Sequence, residues 1–323
     1  MSRDVDPRIA VFGLGGVGRA FLDLLTERSC GLSLVAAADS RGALVGDLSP
    51  EAVLRHKAAG PLPEGPGLRA LLDEARPSVV VDLSACDFGT AEPSLSILRA
   101  GLDAGGAVVT ANKAPLARAW STLHAGANGT RRIGYAAAAG AALPAVAVAR
   151  ALARRDDVRS FEAVLTGTTT FVLEAMAGGA SAEDAVRAAQ EQGIAEPDPS
   201  IDVGGWDTAA KLVILAHTLW DCDLEIDDVD VTGIEGADPA ALRAGGVRLV
   251  GRAERRSTGV RASVAPVALA PDHPLARLRG AEKGVLFRGA DTGEVLVAGG
   301  RSHPRGAATA ALADVLELLE EAA

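Results

Sequence analysis

Three features of the sequence predict a two-domain α/β chain, with a parallel-sheet domain first and an α+β domain second. Within residues 8–39 an apolar run, a glycine-rich turn, a helical pattern, a second apolar run and an acid follow in that order. Helix and strand signals then alternate to residue 135, the pattern of a sheet covered by crossover helices. After residue 136 the alternation gives way to helices and then to strands in succession, closing on a hairpin signal at Gly289-Ala290-Asp291-Thr292-Gly293. At 323 residues the chain is long enough for two packed cores. We place the first domain at residues 1–135, rejoined by a C-terminal helix within 300–323, and the second at 136–299.

Arg8–Phe12 is a short apolar strand that runs into Gly13-Leu14-Gly15-Gly16-Val17-Gly18. A helical pattern with Phe21, Leu22, Leu24 and Leu25 follows, then a strand over residues 32–38 ending at Asp39. This is the order of a Rossmann-type dinucleotide-binding domain. Gly13 permits the tight turn, Gly15 lets the backbone approach a pyrophosphate, and Gly18 lets helix and strand pack closely. The helix start, with Gly16 and Val17 in its first turn, offers N–H donors to phosphate. Asp39 lies about 20 residues past the last glycine, where a carboxylate binds ribose hydroxyls. Arg41 and Lys57, the latter on the next helical stretch, can face a 2′-phosphate or serve as ordinary surface cations. NAD and NADP both stay open as cofactor.

Residues 60–67, with three prolines, read as a loop; 68–75 read as a helix and 78–83 as a buried strand with Ser84 at its end. That end is where open α/β sheets bind ligands. Residues 95–100 are helical, and 107–110 form a strand leading to Ala111-Asn112-Lys113. Lys113 can therefore reach the reacting end of a cofactor or remain a surface lysine. Residues 131–135 read as the last strand of this domain. Residues 136–153 are a small-residue turn running into a helix, 159–166 a strand, and 167–170 the start of a helix rich in threonine. Glycine and hydroxyls at a helix start suit carboxylate binding or plain capping. A capping box, Ser181-x-x-Asp184, opens the helix to Gln192.

The segment from 193 to 211 concentrates Glu196, Asp198, Asp202, Asp207 and Lys211. Pro197, Pro199 and Gly204-Gly205 make its first half a loop. A helix begins in its second half, and Asp207 and Lys211, four apart, share one face of it. The pair reads either as a solvated ion pair or as part of a site for a small zwitterionic substrate. Trp206 is expected to anchor the loop by burial, His217 to be a packing residue, and Cys86 to be structural. Residues 221–230 read as a solvated acidic loop, 247–269 as two strands, and 309–319 as the C-terminal helix.

A net charge of −10 argues against a nucleic-acid partner, which needs a broad basic surface. Cys30, Cys86 and Cys222 lack metal-ligand spacing, which fits reduced thiols in a cytoplasmic protein. The polar N-terminus is no signal peptide. The most apolar tract, 133–149, is broken by Gly134, Gly140 and Pro144 and is too short to span a membrane.

In motif order the chain resembles the homoserine dehydrogenases over nearly its whole length. The blocks are Gly13-x-Gly15-x-x-Gly18, Val109-Thr110-Ala111-Asn112-Lys113, Leu165-Thr166-Gly167-Thr168-Thr169, Ala195-Glu196-Pro197-Asp198-Pro199 and Asp207-x-x-x-Lys211. The resemblance implies a homodimeric NAD(P)-dependent enzyme that interconverts L-homoserine and L-aspartate 4-semialdehyde, a step toward threonine and methionine. It implies Lys211 as proton donor and acceptor, and Lys113 as a second lysine near nicotinamide and substrate. Glu196 and Asp202 would hold the substrate ammonium, Asp207 would orient the lysine or the hydroxyl, and Thr168 would lie beside the substrate. A monovalent cation, Na⁺ or K⁺, would sit on the backbone carbonyls of Ala136, Ala139, Ala141 and Leu143.

Several positions depart from the family pattern. Thr166 stands where the family usually has Asn, Thr170 where it often has Asn, and Ala136 where it usually has Glu. Residues 299–306 are bulkier and more basic than the usual glycine-rich turn. The chain also ends where longer members carry a regulatory domain, so feedback through such a domain is not expected. Two other functions remain open on the sequence: a related dehydrogenase acting on a different amino or hydroxy acid, and a non-catalytic dinucleotide sensor.

Overall fold

The computed structural model describes residues 7–125, 132–196, 198–300 and 303–322. The chain forms two compact units, Met1–Ala142 with His303–Ala323, and Leu143–Ser302.

The first unit is built on a six-stranded sheet of order β3-β2-β1-β4-β5-β6. Its strands are β1 (Arg8–Phe12), β2 (Ser33–Asp39), β3 (Gly42–Leu48), β4 (Val79–Asp82), β5 (Ala107–Thr110) and β6 (Ile133–Gly134). All neighbours are parallel except β2 and β3. The central strands are short apolar runs because a parallel sheet is covered on both faces; Val79, Val80 and Val81 are all buried. Its helices are α1 (Gly16–Glu27), α2 (Pro50–Ala59), α3 (Leu68–Ala75), α4 (Ser94–Asp103), α5 (Ala114–Arg118), α6 (Trp120–His124), α7 (Ala136–Ala139) and, from the end of the chain, α14 (Pro304–Ala322). Phe21, Leu22 and Leu24 of α1 share one core with Ala308, Ala311, Leu312, Val315 and Leu318 of α14.

The second unit holds α8 (Ala145–Ala153), α9 (Gly167–Ala177), α10 (Ala182–Glu191), α11 (Ser200–Val203), α12 (Trp206–Trp220) and α13 (Pro239–Ala244). Its sheet has the order β12-β11-β7-β9-β10-β8. The strands are β7 (Val158–Val164), β8 (Asp230–Val231), β9 (Val247–Arg256), β10 (Gly259–Ala268), β11 (Lys283–Gly289) and β12 (Gly293–Gly299). Every pairing is antiparallel except β8 with β10. Helix α12 is buried along most of its length and lies against β9, where the absent side chain of Gly251 leaves room for Leu212 and Thr208. Glu162 ties three elements together by accepting from Arg252 (2.7 Å), Arg288 (2.9 Å) and His273 (3.0 Å).

Several expectations need correction. Strand β3 was not read from the sequence, because Gly42, Gly46 and Asp47 interrupt its apolar pattern; as an edge strand it buries only Ala43. The small-residue stretch contains the helical turn α7. The acidic loop is not wholly solvated, since Leu224, Ile226 and Val229 are buried and Ile226–Asp228 forms a 3₁₀ turn. Trp206 is 38 % exposed and does not anchor its loop by burial. The C-terminal helix starts earlier and runs longer than expected. The strand expected at 131–135 is observed as Ile133–Gly134, with Arg131 outside the described residues. Pro197 and Arg301 also lie outside them.

The packing yields one direct prediction. A Cβ on Gly18 would lie 1.9 Å from the carbonyl oxygen of Gly13, a backbone atom that cannot yield cheaply. Gly18→Ala is therefore expected to cost about 1–3 kcal/mol, as overpacking does, seen as an earlier urea unfolding midpoint.

Candidate active site

The first unit carries a cleft of about 1040 Å³ at the carboxyl ends of its strands. Gly13, Gly15, Arg19, Asp39, Arg41, Lys57, Leu83 and Ser84 contribute to its walls. Gly13 adopts φ +92° and lies so close to β4 that a Cβ would come within 2.3 Å of the backbone of Leu83 and Ser84. Gly15 differs: a Cβ there would meet nothing within 4 Å, so this glycine leaves an open approach to the backbone. Helix α1 starts at Gly15 with no side-chain cap and no acid in its first turn. Its leading N–H groups are therefore without an intrahelical or side-chain acceptor. A glycine cradle beneath an uncapped helix start fits the pyrophosphate of a dinucleotide. Gly16, Val17 and Gly18 form the first turn of that helix.

Asp39 closes one end of the cleft. Its carboxylate accepts from the Lys57 ammonium and, at 2.8 Å, from the N–H of Arg41. Burial pushes the Asp39 carboxyl up, but the Lys57 ammonium and the N–H groups of Arg41 and Gly42 outweigh it and hold the group below its ordinary value. At the other end is a cluster that the sequence reading missed. Asp82, the last residue of β4, is fully buried and binds Ser84, Ser94, Thr110 and Asn112. An acid closing a buried parallel strand was the available signal, since it lies where such sheets bind ligands. Lys113 is half-buried just past β5 and heads α5. Burial, then the charge of Asp82, pushes the Cys86 thiol up to about 11, which leaves it inert as a nucleophile.

In the second unit, α12 begins at Gly205, which takes φ +88° and releases the chain from the loop into the helix. Asp207 and Lys211 lie on its first turns, both largely buried. Lys211 Nζ donates to Asp207 Oδ2 at 2.5 Å and to the Leu165 carbonyl at 3.0 Å. Thr166 Oγ1 donates to the same carboxylate oxygen at 3.0 Å and lies 3.2 Å from Thr208 Oγ1. The end of β7, the start of α9 and the start of α12 thus meet at one buried ion pair. Thr166 and Thr208 were not assigned roles from the sequence. Thr168 Oγ1 donates to the Ile194 carbonyl at 3.2 Å, tying α9 to the loop after α10. Glu196 is exposed on that loop and Asp202 half-buried on α11. Asp198 accepts from the N–H of Ser200 at 3.1 Å as a local turn. Ile194, Ile201 and Trp206 expose apolar surface on the same segment. His217 is buried in α12.

At the positions expected for a cation, Ala136 and Ala139 belong to α7 and the Ala136 N–H donates to the buried carboxylate of Asp314 at 2.6 Å. Ala141 has φ +52°, and the Leu143 carbonyl accepts from the Ala145 N–H at 2.8 Å. Among the described residues no group of three or more His, Cys, Asp or Glu could hold a metal ion, and no helix is long and apolar enough to cross a membrane.

A doubly wound dinucleotide-binding unit, followed by a unit presenting a buried lysine–aspartate pair, defines a nicotinamide-dependent oxidoreductase. Comparison with known proteins specifies the family. A model of homoserine dehydrogenase matches residues 144–316, and a model of the homoserine dehydrogenase NAD-binding domain matches residues 13–137. The homoserine dehydrogenase of Sulfurisphaera tokodaii is 31% identical over 316 residues, 96% of this chain and 98% of that protein. An NAD(+)-dependent homoserine dehydrogenase of Pseudomonas canavaninivorans is 32% identical over 343 residues, 98% of this chain and 97% of that one. A hyperthermophilic archaeal homoserine dehydrogenase in complex with NADPH superposes with a TM-score of 0.85 at 26% identity, covering 98% of both chains. The chain belongs to the homoserine dehydrogenase family, whose members are NAD(P)-dependent oxidoreductases.

The Asp39–Lys57 pair has a measurable signature. A carboxylate held below its ordinary value adds stability at pH above the unfolded value and loses it as pH falls through the folded value. Lys57→Met is expected to move the Asp39 titration upward and to shrink that acid-side contribution, as read by carboxyl carbon NMR.

Proposed function

We propose that this chain interconverts L-homoserine and L-aspartate 4-semialdehyde, with Lys211 as the group that exchanges a proton with the substrate oxygen. The observation that carries the assignment is the burial of a lysine, held by Asp207 and the Leu165 carbonyl, near the start of an otherwise apolar helix. An ammonium fixed by two acceptors has a third N–H to offer a substrate oxygen. When bound, a nicotinamide cofactor would supply or accept the hydride. As hydride arrives at the aldehyde carbon, Lys211 protonates the developing alkoxide; in the reverse direction it takes the hydroxyl proton. Asp207 holds the lysine in one orientation, and Thr166 holds Asp207. Glu196 and Asp202 supply carboxylates for the substrate ammonium, and Thr168 shapes the wall near the reacting carbon. Lys113, past the end of β5, serves the nicotinamide side.

The cleft supports use of NADP(H) as well as NAD(H). Lys57 neutralises Asp39, the carboxylate that would repel a 2′-phosphate, and Arg41 stands beside it. Homodimerisation is part of the same reading, supported by the exposed Leu296 on the edge strand β12. The cation site finds weaker support, because Ala136 offers no carboxylate and the Leu143 carbonyl already accepts an N–H; no step is routed through it.

Steady-state assays with homoserine, a panel of 3- and 4-hydroxy amino acids and each cofactor test the substrate. Lys211→Ala is expected to lose at least ~10² in turnover, the usual scale of general acid–base catalysis, with cofactor affinity nearly unchanged. Near-normal turnover in that variant would sink the assignment. Arg41→Ala is expected to raise KM for NADP(H) about tenfold, one lost charge-assisted contact, while leaving KM for NAD(H) within twofold; an equal effect on both would remove the 2′-phosphate role.

A further inference from the structure

We infer that Asp82, buried beneath the cofactor cleft, is a positioning residue that fixes the hydrogen-bond polarity of the cleft floor and makes Ser84 an acceptor toward the bound dinucleotide. The inference rests on the reading of Ser84 as a cofactor contact and goes beyond it. Five hydrogen bonds converge on the Asp82 carboxylate. Oδ1 accepts from the N–H of Ser84 at 3.2 Å and from its hydroxyl at 2.6 Å. Oδ2 accepts from the hydroxyl of Ser94, from that of Thr110 at 3.1 Å, and from Asn112 Nδ2 at 2.9 Å. Every one of these partners is neutral, so the cluster is held by directed donors and not by a countercharge.

A carboxylate can only accept. Each hydroxyl that touches Asp82 must therefore direct its single proton inward. Ser84 lines the cleft while donating to Asp82, so its oxygen meets a ligand with lone pairs alone. Asn112 is tied into the same cluster. One of its Nδ2 protons goes to Asp82 and the other, at 3.2 Å, to the Ser84 carbonyl, so both are committed inside the cluster. Thr110 closes the arrangement, for its Oγ1 accepts from the Asn112 N–H at 2.9 Å while donating to Asp82. At Ser84 the cleft floor is thus selective for hydrogen-bond donors. A dinucleotide offers three kinds of donor: ribose hydroxyls, the adenine amine and the carboxamide amine of the nicotinamide. A serine without Asp82 behind it could rotate to donate or accept and would impose no such choice.

The test is a double-mutant cycle read as dinucleotide affinity, by quenching of protein fluorescence and by calorimetry, without turnover. Asp82→Leu keeps the approximate shape but removes both acceptor oxygens, so the Ser84 hydroxyl is released to turn outward. Ser84→Ala and Asp82→Leu are each expected to weaken NADH and NADPH binding about tenfold, and the double variant to bind no more weakly than Ser84→Ala alone. Ser84→Thr, which retains the hydroxyl, is expected to restore affinity to within twofold. Independent losses that multiply in the double variant would overturn the role of Asp82 while leaving Ser84 a cofactor contact. Unchanged affinity in Ser84→Ala would overturn both. Should Asp82→Leu not fold, the wild-type, Ser84→Ala and Ser84→Thr proteins decide the matter with the 3-acetylpyridine analogue, which lacks the carboxamide amine. Wild-type discrimination against the analogue that disappears in Ser84→Ala assigns the donor to the carboxamide. Equal binding of NADH and the analogue by the wild type, with loss in Ser84→Ala and recovery in Ser84→Thr, assigns it to a donor the analogue retains, a ribose hydroxyl or the adenine amine. Equal binding in all three proteins removes the proposal.

Discussion

Two backbone contacts decide whether the first unit can hold a dinucleotide. Gly13 lies against the backbone of Leu83 and Ser84, and Gly18 against the carbonyl of Gly13, at distances no side chain tolerates. The first brings the turn after β1 onto the end of β4. The second brings α1 down onto that turn. Together they aim the start of α1 into the space between Asp39 and Ser84. The remaining features of the cleft follow from that placement, because the ends of β1, β2 and β4 are brought to one opening. Gly15 serves a different end in the same motif, since its missing side chain leaves space for a ligand and not for the protein.

The second unit works by isolating charge. Helix α12 is buried almost throughout, so a lysine and an aspartate on it are costly unless they satisfy one another. They do so in company, with the Leu165 carbonyl and the Thr166 hydroxyl as further partners. Three elements distant in sequence are thereby fixed around one ammonium group. Thr166 and Thr170 belong to the same threonine-rich helix start: the Thr166 hydroxyl donates to Asp207 and the Thr170 hydroxyl to the Thr166 carbonyl. Of the departures from the family pattern, Thr166 therefore borders the lysine's partner Asp207 and is compatible with its pairing.

Much of this architecture was legible from residue order, because a parallel sheet writes itself as short apolar runs separated by helical patterns. The glycine motif, Asp39 and the Asp207–Lys211 spacing all depend on neighbours close in sequence. What escaped notice depends on partners far away. Asp82 gathers Ser94, Thr110 and Asn112 across as many as 30 positions, and no local pattern announces that. Strand β3 was missed because an edge strand needs little apolar alternation. Trp206 was misjudged for the opposite reason: a large aromatic residue is normally buried, and here it stands exposed at the head of α12 beside Ile201 of the preceding turn.

The uncapped start of α1 has a consequence for the life of the protein outside catalysis. Helices α2, α10 and α13 begin with their own side-chain acceptor, at Ser49, Ser181 and Asp238. Helix α1 carries none, and a dinucleotide pyrophosphate fits that place. Any ligand that binds only the folded state raises its stability, by about 2.7 kcal/mol when present at a hundred times its dissociation constant. The folded lifetime of this chain is thus coupled to the size of the dinucleotide pool, and a cell short of cofactor would hold a less durable enzyme as well as a slower one.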